Sequence, residues 1–367
     1  MHSTLAPFLG AASDEPGLLE RFSPILILLV VVIFVIARLP RVDLGDHKHS
    51  DAFRSRRVWN WLPLGLTYAF LYMGRYNLTV SKGKFGDLLD PNGLPMMGNA
   101  DFGGIFGIGT VVYGLSFLIN GPLTDKLGGK FAILMGAGGA AVANLLMGLA
   151  TWSLINHGWG YEMIANHFVL LFTLLYAMNM YFQSFGAVAI VKVNASWFHI
   201  RERGVFGAIF GILISLGVYF ASDIGGMILD AESLGLTWVF FMPAALLTAF
   251  WIIDYIQVRN TPGEAGVSDF DLDDASADDD GERKSVKEIF SMMLRNPVIL
   301  TIAGVEFCSG FLRQAIMQWY PTFAKQTNAT LGHFDGFVRE NWGMLLCCAG
   351  ILGGVFAGTI SDHVFKS

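Results

Sequence analysis

The chain has 367 residues, with 24 Lys and Arg against 30 Asp and Glu, and a formal charge of −6. Apolar residues make up 53% of it and charged residues 15%, well below the roughly 25% charged share of a soluble domain. With 43 Gly and 30 Phe, this balance excludes a disordered chain, a nucleic-acid binder and an ordinary soluble enzyme, and fits an all-α polytopic membrane protein.

A spanning helix takes about 20 largely apolar residues. Nine segments qualify in chain order: 22–39, 59–80, 102–122, 131–152, 167–191, 204–228, 236–256, 296–323 and 340–361. The first is the weakest. It lacks the basic leading region of a signal peptide, and no small-residue cleavage site follows it. Arg38 and Arg41 follow it instead, which suits a retained anchor. Residues 1–57 therefore read as an N-terminal extension with one extra transmembrane helix.

The other eight segments alternate across a membrane. One side collects 16 of the 24 Lys and Arg, among them Arg54, Arg56, Arg57, Lys126, Lys130, Arg201, Arg203 and Arg259. The opposite side holds five (Arg21, Lys82, Lys84, Lys325, Arg339), and three (Arg75, Lys192, Arg313) fall inside spans. The positive-inside rule places the richer side in the cytoplasm, and the loops 153–166 and 229–235 carry no Lys or Arg. The expected location is a cell (inner) membrane.

Residues 257–290 break the apolar rhythm. After Thr261-Pro262-Gly263 come Glu264, Asp269, Asp271, Asp273, Asp274, Asp278, Asp279, Asp280 and Glu282. Too few apolar groups are present to order the segment, so it reads as a solvated cytoplasmic linker. Its spacing lacks the turn Gly and terminal Glu of a calcium loop. Cys308, Cys347 and Cys348 lie in apolar stretches without metal-ligand spacing. No metal and no cofactor is expected.

The chain contains a repeat. Gly121-Pro-Leu-Thr-Asp125-Lys126-Leu-Gly-Gly-Lys130 follows one span and Gly358-Thr-Ile-Ser-Asp362 follows another, with the two aspartates 237 positions apart. Arg75 and Arg313 are 238 apart, each about 50 residues before its aspartate. Such duplication is typical of transporters, whose substrate site lies between the repeats near the bilayer midplane. The organisation that follows is 58–256 as a six-helix half, 257–290 as the linker and 291–367 as the first two helices of the second half.

The loop from Gly121 to Lys130 resembles the cytoplasmic signature of the major facilitator superfamily. Tyr72-Met-Gly-Arg75-Tyr-Asn77, and Arg313 followed by Trp319-Tyr-Pro321-Thr322, are similar to the first and seventh helices of its organophosphate:phosphate antiporters. Tyr113-Gly-x-Ser116 and the stretch from Phe182-Gln183 to Glu202-Arg203-Gly204 match that family too, so the similarity runs from about Val58 to the C-terminus. The resemblance implies a major facilitator fold, with a six-helix N-terminal bundle and a partial C-terminal one. It also implies exchange of a glycerol-phosphate or sugar-phosphate type of anion for inorganic phosphate, with Arg75 and Arg313 binding the phosphate group.

The chemistry agrees. An Arg at mid-membrane costs at least about 2.5–3.5 kcal/mol, so it persists where it faces a polar cavity. Its planar fork matches phosphate bidentately and stays protonated. Tyr68 and Tyr72 share the face of Arg75, and Tyr113 in the next span matches the family, so their hydroxyls are candidates for the substrate site, with aromatic packing as the competing reading. Lys192, at a basic position of the family, either joins that site or snorkels toward the cytoplasmic surface. The competing reading pairs the arginines with acids: Glu306 lies seven positions before Arg313 on the same helix face. Asp125 is expected to stabilise one access state through Lys126, Lys130 or Arg203, with Asp362 as its repeat counterpart, and Asp101 reads as a helix N-cap.

The sequence departs from the family at two positions: Phe117 stands where a Lys is usual, and Ile214 where glycerol-phosphate members have His. No His, Ser or Cys forms a nucleophile–base set, so no enzyme activity is expected. The expected partners are a phosphate ester, inorganic phosphate and the lipid bilayer, with no nucleic acid and the protein a monomer. A membrane sensor of sugar phosphate and a carrier of other organic anions are the alternatives. Twelve core helices are usual for the superfamily, so the chain reads as truncated after the eighth.

Overall fold

The computed structural model describes residues 50–199, 202–231, 233–267, 286–331 and 336–360. The expected span 22–39, the linker residues 268–285 and the second turn with Asp362 lie outside the described residues. Within them the chain is helical, and its one isolated β-bridge joins Leu89 to Pro95.

The first helix, α1, runs Asp51–Asp87. The Ser50 side chain accepts a hydrogen bond from the Phe53 N–H at 3.2 Å, satisfying one of the donors a helix start leaves open. The helix thus begins before the apolar segment and takes Arg54, Arg56 and Arg57 into its first turns. Next, α2 spans Asn99–Leu127. Asp101 is its third residue, and its carboxylate reaches back to the Gly98 N–H at 2.8 Å. Gly98, not Asp101, is the N-cap, which corrects the sequence expectation. Gly128 ends α2 with φ of 91°, a backbone state that L side chains avoid, and α3 follows at once as Gly129–Asn156.

Three further helices follow the same logic of long apolar runs: α4 is Phe168–Ala195, α6 is Trp238–Gln257 and α7 is Pro297–Leu331. Between them, α5 spans Arg203–Tyr219 and continues through a π turn, Phe220–Ile224, into Gly225–Asp230. The last, α8, is Trp342–Ile360.

Among the described residues, six helices are long and apolar enough to cross a membrane: Asn99–Leu127, Gly129–Asn156, Phe168–Ala195, Ile209–Asp230, Trp238–Gln257 and Pro297–Thr327. The apolar stretch of α8, Trp342–Gly354, is shorter. The segment 59–80 is not among the six, because α1 carries Asn60, Thr67, Arg75, Asn77, Ser81 and Lys82. All of these are buried. The physical reason is position. α1 packs against α3, α4, α5 and α6, so its polar groups find partners inside the bundle and do not meet lipid. Small residues allow the close approaches: a Cβ on Gly217 of α5 would stand 2.6 Å from the Ala69 carbonyl oxygen of α1. The central α4 packs against α2 and α3, and α8 lies along α5.

Candidate functional site

Arg75 sits in α1 at 6% exposure. Its Nε donates to Gln183 Oε1 of α4 at 2.9 Å. Gln183 Nε2 donates in turn to Asn179 Oδ1 at 3.1 Å, and Asn179 Nδ2 to the Gly74 carbonyl at 2.9 Å. Asn144 of α3 joins this chain through Asn179 and accepts from Asn77 Nδ2. The Tyr176 hydroxyl donates to the Arg75 carbonyl at 3.1 Å. The backbone and Nε of Arg75 are thus fixed by a polar network whose members are themselves buried and bonded.

The far end of the guanidinium is different. Its carbon lies 4.7 Å from the Tyr72 ring centre and 4.4 Å from that of Tyr113, an arrangement that favours a cation. Nη2 is buried and has no hydrogen-bond partner. Among the described ion pairs none includes Arg75. A buried donor of this kind is costly unless something accepts from it. Tyr68 packs edge-on to Tyr72 with ring centres 5.2 Å apart and shares a side-chain hydrogen bond with it. The expected cluster of Arg75, Tyr68, Tyr72 and Tyr113 is therefore assembled. Phe117 lies edge-on to Tyr113 at 4.9 Å.

Arg313 lies on the exposed surface of α7, and its charge acts on the Tyr76 hydroxyl, as does that of Arg75. Tyr76 is hydrogen-bonded to Gln314. No described ion pair joins Arg313 to Glu306, which is exposed, so the acid-pairing alternative gains no support here.

Beyond the arginines α1 and α7 meet directly. Thr79 bonds Gln318, and Lys82 Nζ donates to Thr322 Oγ1 at 3.0 Å. The contact pairs are 76–314, 79–318 and 82–322, separated by 238, 239 and 240 positions. The helices run parallel, in the same offset that relates the two arginines in sequence. The bonded positions advance by three residues at a time on α1 and by four on α7. Toward the other end of α7, Val298 and Ile302 are 64% and 58% exposed.

Lys192 is not part of the Arg75 cluster. It stands nine residues beyond Gln183 on α4, roughly 13 Å along the axis, and its Nζ pairs with Asp125 Oδ1 at 2.9 Å. Of the two readings of Lys192, the structure described here has the one that reaches the helix end, paired with Asp125. The long ammonium stem reaches the end of the helix, where an opposite charge and water are both available. Of the expected partners, Lys126 is exposed, and Lys130 turns away, donating to the Tyr255 carbonyl at 2.7 Å. The Arg203 side chain lies outside the described residues. The same end is tied by Arg57, whose Nη1 pairs with Glu202 Oε2 at 2.8 Å with both side chains mostly buried.

Gln183, Tyr76, Gln314 and Lys82 were missed as site residues. The first left a signal: Tyr176, Asn179 and Gln183 recur at three- and four-residue steps on an otherwise apolar helix, which marks one polar face.

The family profile described as Major Facilitator Superfamily matches residues 64–367. The chain belongs to the major facilitator superfamily. It is a multi-pass integral membrane protein of the all-α class. Among curated proteins it is 26% identical over 346 residues to the glycerol-3-phosphate transporter of Bacillus subtilis (strain 168), covering 89% of this chain and 70% of that protein. It is 24% identical to the glycerol-3-phosphate transporter of Haemophilus influenzae, over 88% of this chain and 66% of the relative. It is also 24% identical to the membrane sensor protein UhpC of Salmonella typhimurium, over 87% and 67%. The chain spans about half, 54%, of the length of a relative from Arabidopsis thaliana.

Proposed function

We propose that this superfamily member carries an organophosphate across the membrane, exchanging it for inorganic phosphate, by rocking two repeat halves about a shared site. The supporting observation is the buried, unpartnered Nη2 of Arg75, aimed from a bundle in which no described carboxylate neutralises it. A phosphate dianion supplies the missing acceptor and the missing charge together. Arg75 grips it from the first half, held in aim by Gln183. Arg313 approaches from the second half, and the hydroxyls of Tyr68, Tyr72 and Tyr113 orient the ligand. Binding to both halves draws them together, which couples occupancy to the change of access.

The distribution of Lys and Arg places the end with Asp125, Lys192 and the Arg57–Glu202 pair in the cytoplasm and the Lys82 end outside. In that orientation the α1–α7 contact closes the outer mouth. Phe117 and Ile214 present apolar surface where a more polar family member has Lys and His, so this site relies more heavily on its arginines. The likeness to glycerol-3-phosphate transporters favours a small phosphate ester as cargo.

Proteoliposomes loaded with inorganic phosphate test the reading. Uptake of labelled glycerol 3-phosphate that depends on internal phosphate, and is lost in Arg75→Lys and Arg313→Lys, is the expected result. The likeness to UhpC favours a second reading, a sensor, and binding of the ester without flux would select it.

A further inference from the structure

Lys82 lies seven residues after Arg75 on α1, two turns along the same face and roughly 10 Å away. Its residue is 8% exposed. Its ammonium is 4.4 Å from the Trp319 ring centre, 4.8 Å from that of Phe102, and 3.0 Å from Thr322 Oγ1. Phe102 belongs to the first half, whereas Trp319 and Thr322 belong to the second. Phe102 and Trp319 also meet edge-on at 5.5 Å. Among the described ion pairs none includes Lys82. The charge is thus cradled by two ring faces and a hydroxyl, which attract a cation and leave it unneutralised.

We propose that Lys82 is an anion-receiving site at the outer mouth, and that the same ammonium latches the mouth shut. The assignment rests on the alternating-access reading above. When the halves part, Trp319 and Thr322 leave with α7, and Lys82 keeps only Phe102. An unpaired ammonium then stands at the entrance, on the line that leads down α1 to Arg75. It takes a phosphate group by charge and hydrogen bond, as Lys does elsewhere as a point charge. When the halves close, the rings and hydroxyl reclaim the ammonium and the anion is left to Arg75. Ring closure and anion capture compete for one group, so the cation is available only while the mouth is open.

Two substitutions separate this from a purely structural contact. Both Lys82→Gln and Thr322→Val break the latch, but only the first removes the cation. Mouth opening is read as the distance between spin labels at Leu94→Cys and Phe337→Cys, both exposed sites, with Cys308, Cys347 and Cys348 replaced by Ala. Affinity is read by calorimetry with glycerol 3-phosphate on the purified full chain. Both variants are expected to lengthen the label distance. Lys82→Gln is expected to weaken affinity about tenfold, and Thr322→Val to strengthen it roughly twofold to fivefold by favouring the open state. Opposite signs support the assignment. Affinity changes of the same sign in a chain that binds the ester, or an unchanged label distance in both variants, overturn it and leave the Arg75 reading standing. If the unmodified chain binds no ester while Lys82→Gln and Thr322→Val still lengthen the distance, the anion reading fails and takes this one with it.

Discussion

Gln183 decides what Arg75 can do. A neutral amide fixes the Nε without cancelling the charge; a carboxylate at the same place would fix it and cancel it. Gln183→Glu is therefore expected to leave thermal stability at or above that of the parent, yet to weaken glycerol 3-phosphate binding at least about tenfold. Calorimetry and a melting curve on the same sample check both halves. A purely structural role for Gln183 would move stability and leave affinity alone. The arginine itself was legible in sequence, because a guanidinium inside an apolar run has so few explanations. Its support was not. The partner stands 108 positions away, and nothing local ties one to the other. Lys192 shows the converse case: its sequence position fits a span, but four methylenes let its charge leave the level of its Cα and reach Asp125.

Among the helices, the apolar runs located α2 through α7 because lipid demands them. They located α1 as well, but not its polar lining, since a helix packed against four others answers to its neighbours' polar groups as well as to lipid. The turn chemistry at its two ends was partly legible: Ser50 and Gly128 have the residue types their positions require, whereas the cap at Gly98 was masked by the more conspicuous Asp101. One close approach links α2 to the site. A Cβ on Gly109 would stand 2.5 Å from the ring of Tyr176, whose hydroxyl holds the Arg75 carbonyl. Gly109→Ala is expected to cost about 1–3 kcal/mol of stability, read by thermal unfolding in detergent, and to lower ester affinity without any change at the arginine.

The turn after α1 carries its own pH limit. The Leu94 and Asn92 N–H groups donate to Asp90 at 2.8 Å each, and they hold its carboxyl below the usual aspartate range. A lowered value means that the ionised, bonded form persists down through the ordinary aspartate value of about 4, and that its contribution is lost as pH falls below that. Protection of the Leu94 amide, its exchange rate set against that of an unstructured amide at the same pH, is expected to hold from pH 7 to about 4 and to fall only below. In Asp90→Asn the step should vanish.

At the scale of the whole chain, the 238-residue offset between Arg75 and Arg313 implied two halves related by a parallel repeat, and the α1–α7 contacts carry the same offset within two residues. Repetition was legible because like residues recur. The meeting of the halves was not, since it depends on which side-chain ridges interlock, and that emerges only when both helices are placed. The bonds described between α1 and α7 run from Lys82–Thr322 to Tyr76–Gln314, and toward the start of α7 Val298 and Ile302 stand exposed, so the space beside α1 broadens away from the Lys82 contact. A cargo lodged with its phosphate against the arginines would extend its carbon skeleton toward the broad end. Head groups are then judged strictly and tails loosely. Esters from glycerol 3-phosphate to a hexose phosphate should compete within about tenfold of one another, while the matching alcohols, stripped of phosphate, should not compete at all. The taper would make this a gauge of charge and shape at one tip, indifferent to much of what trails behind.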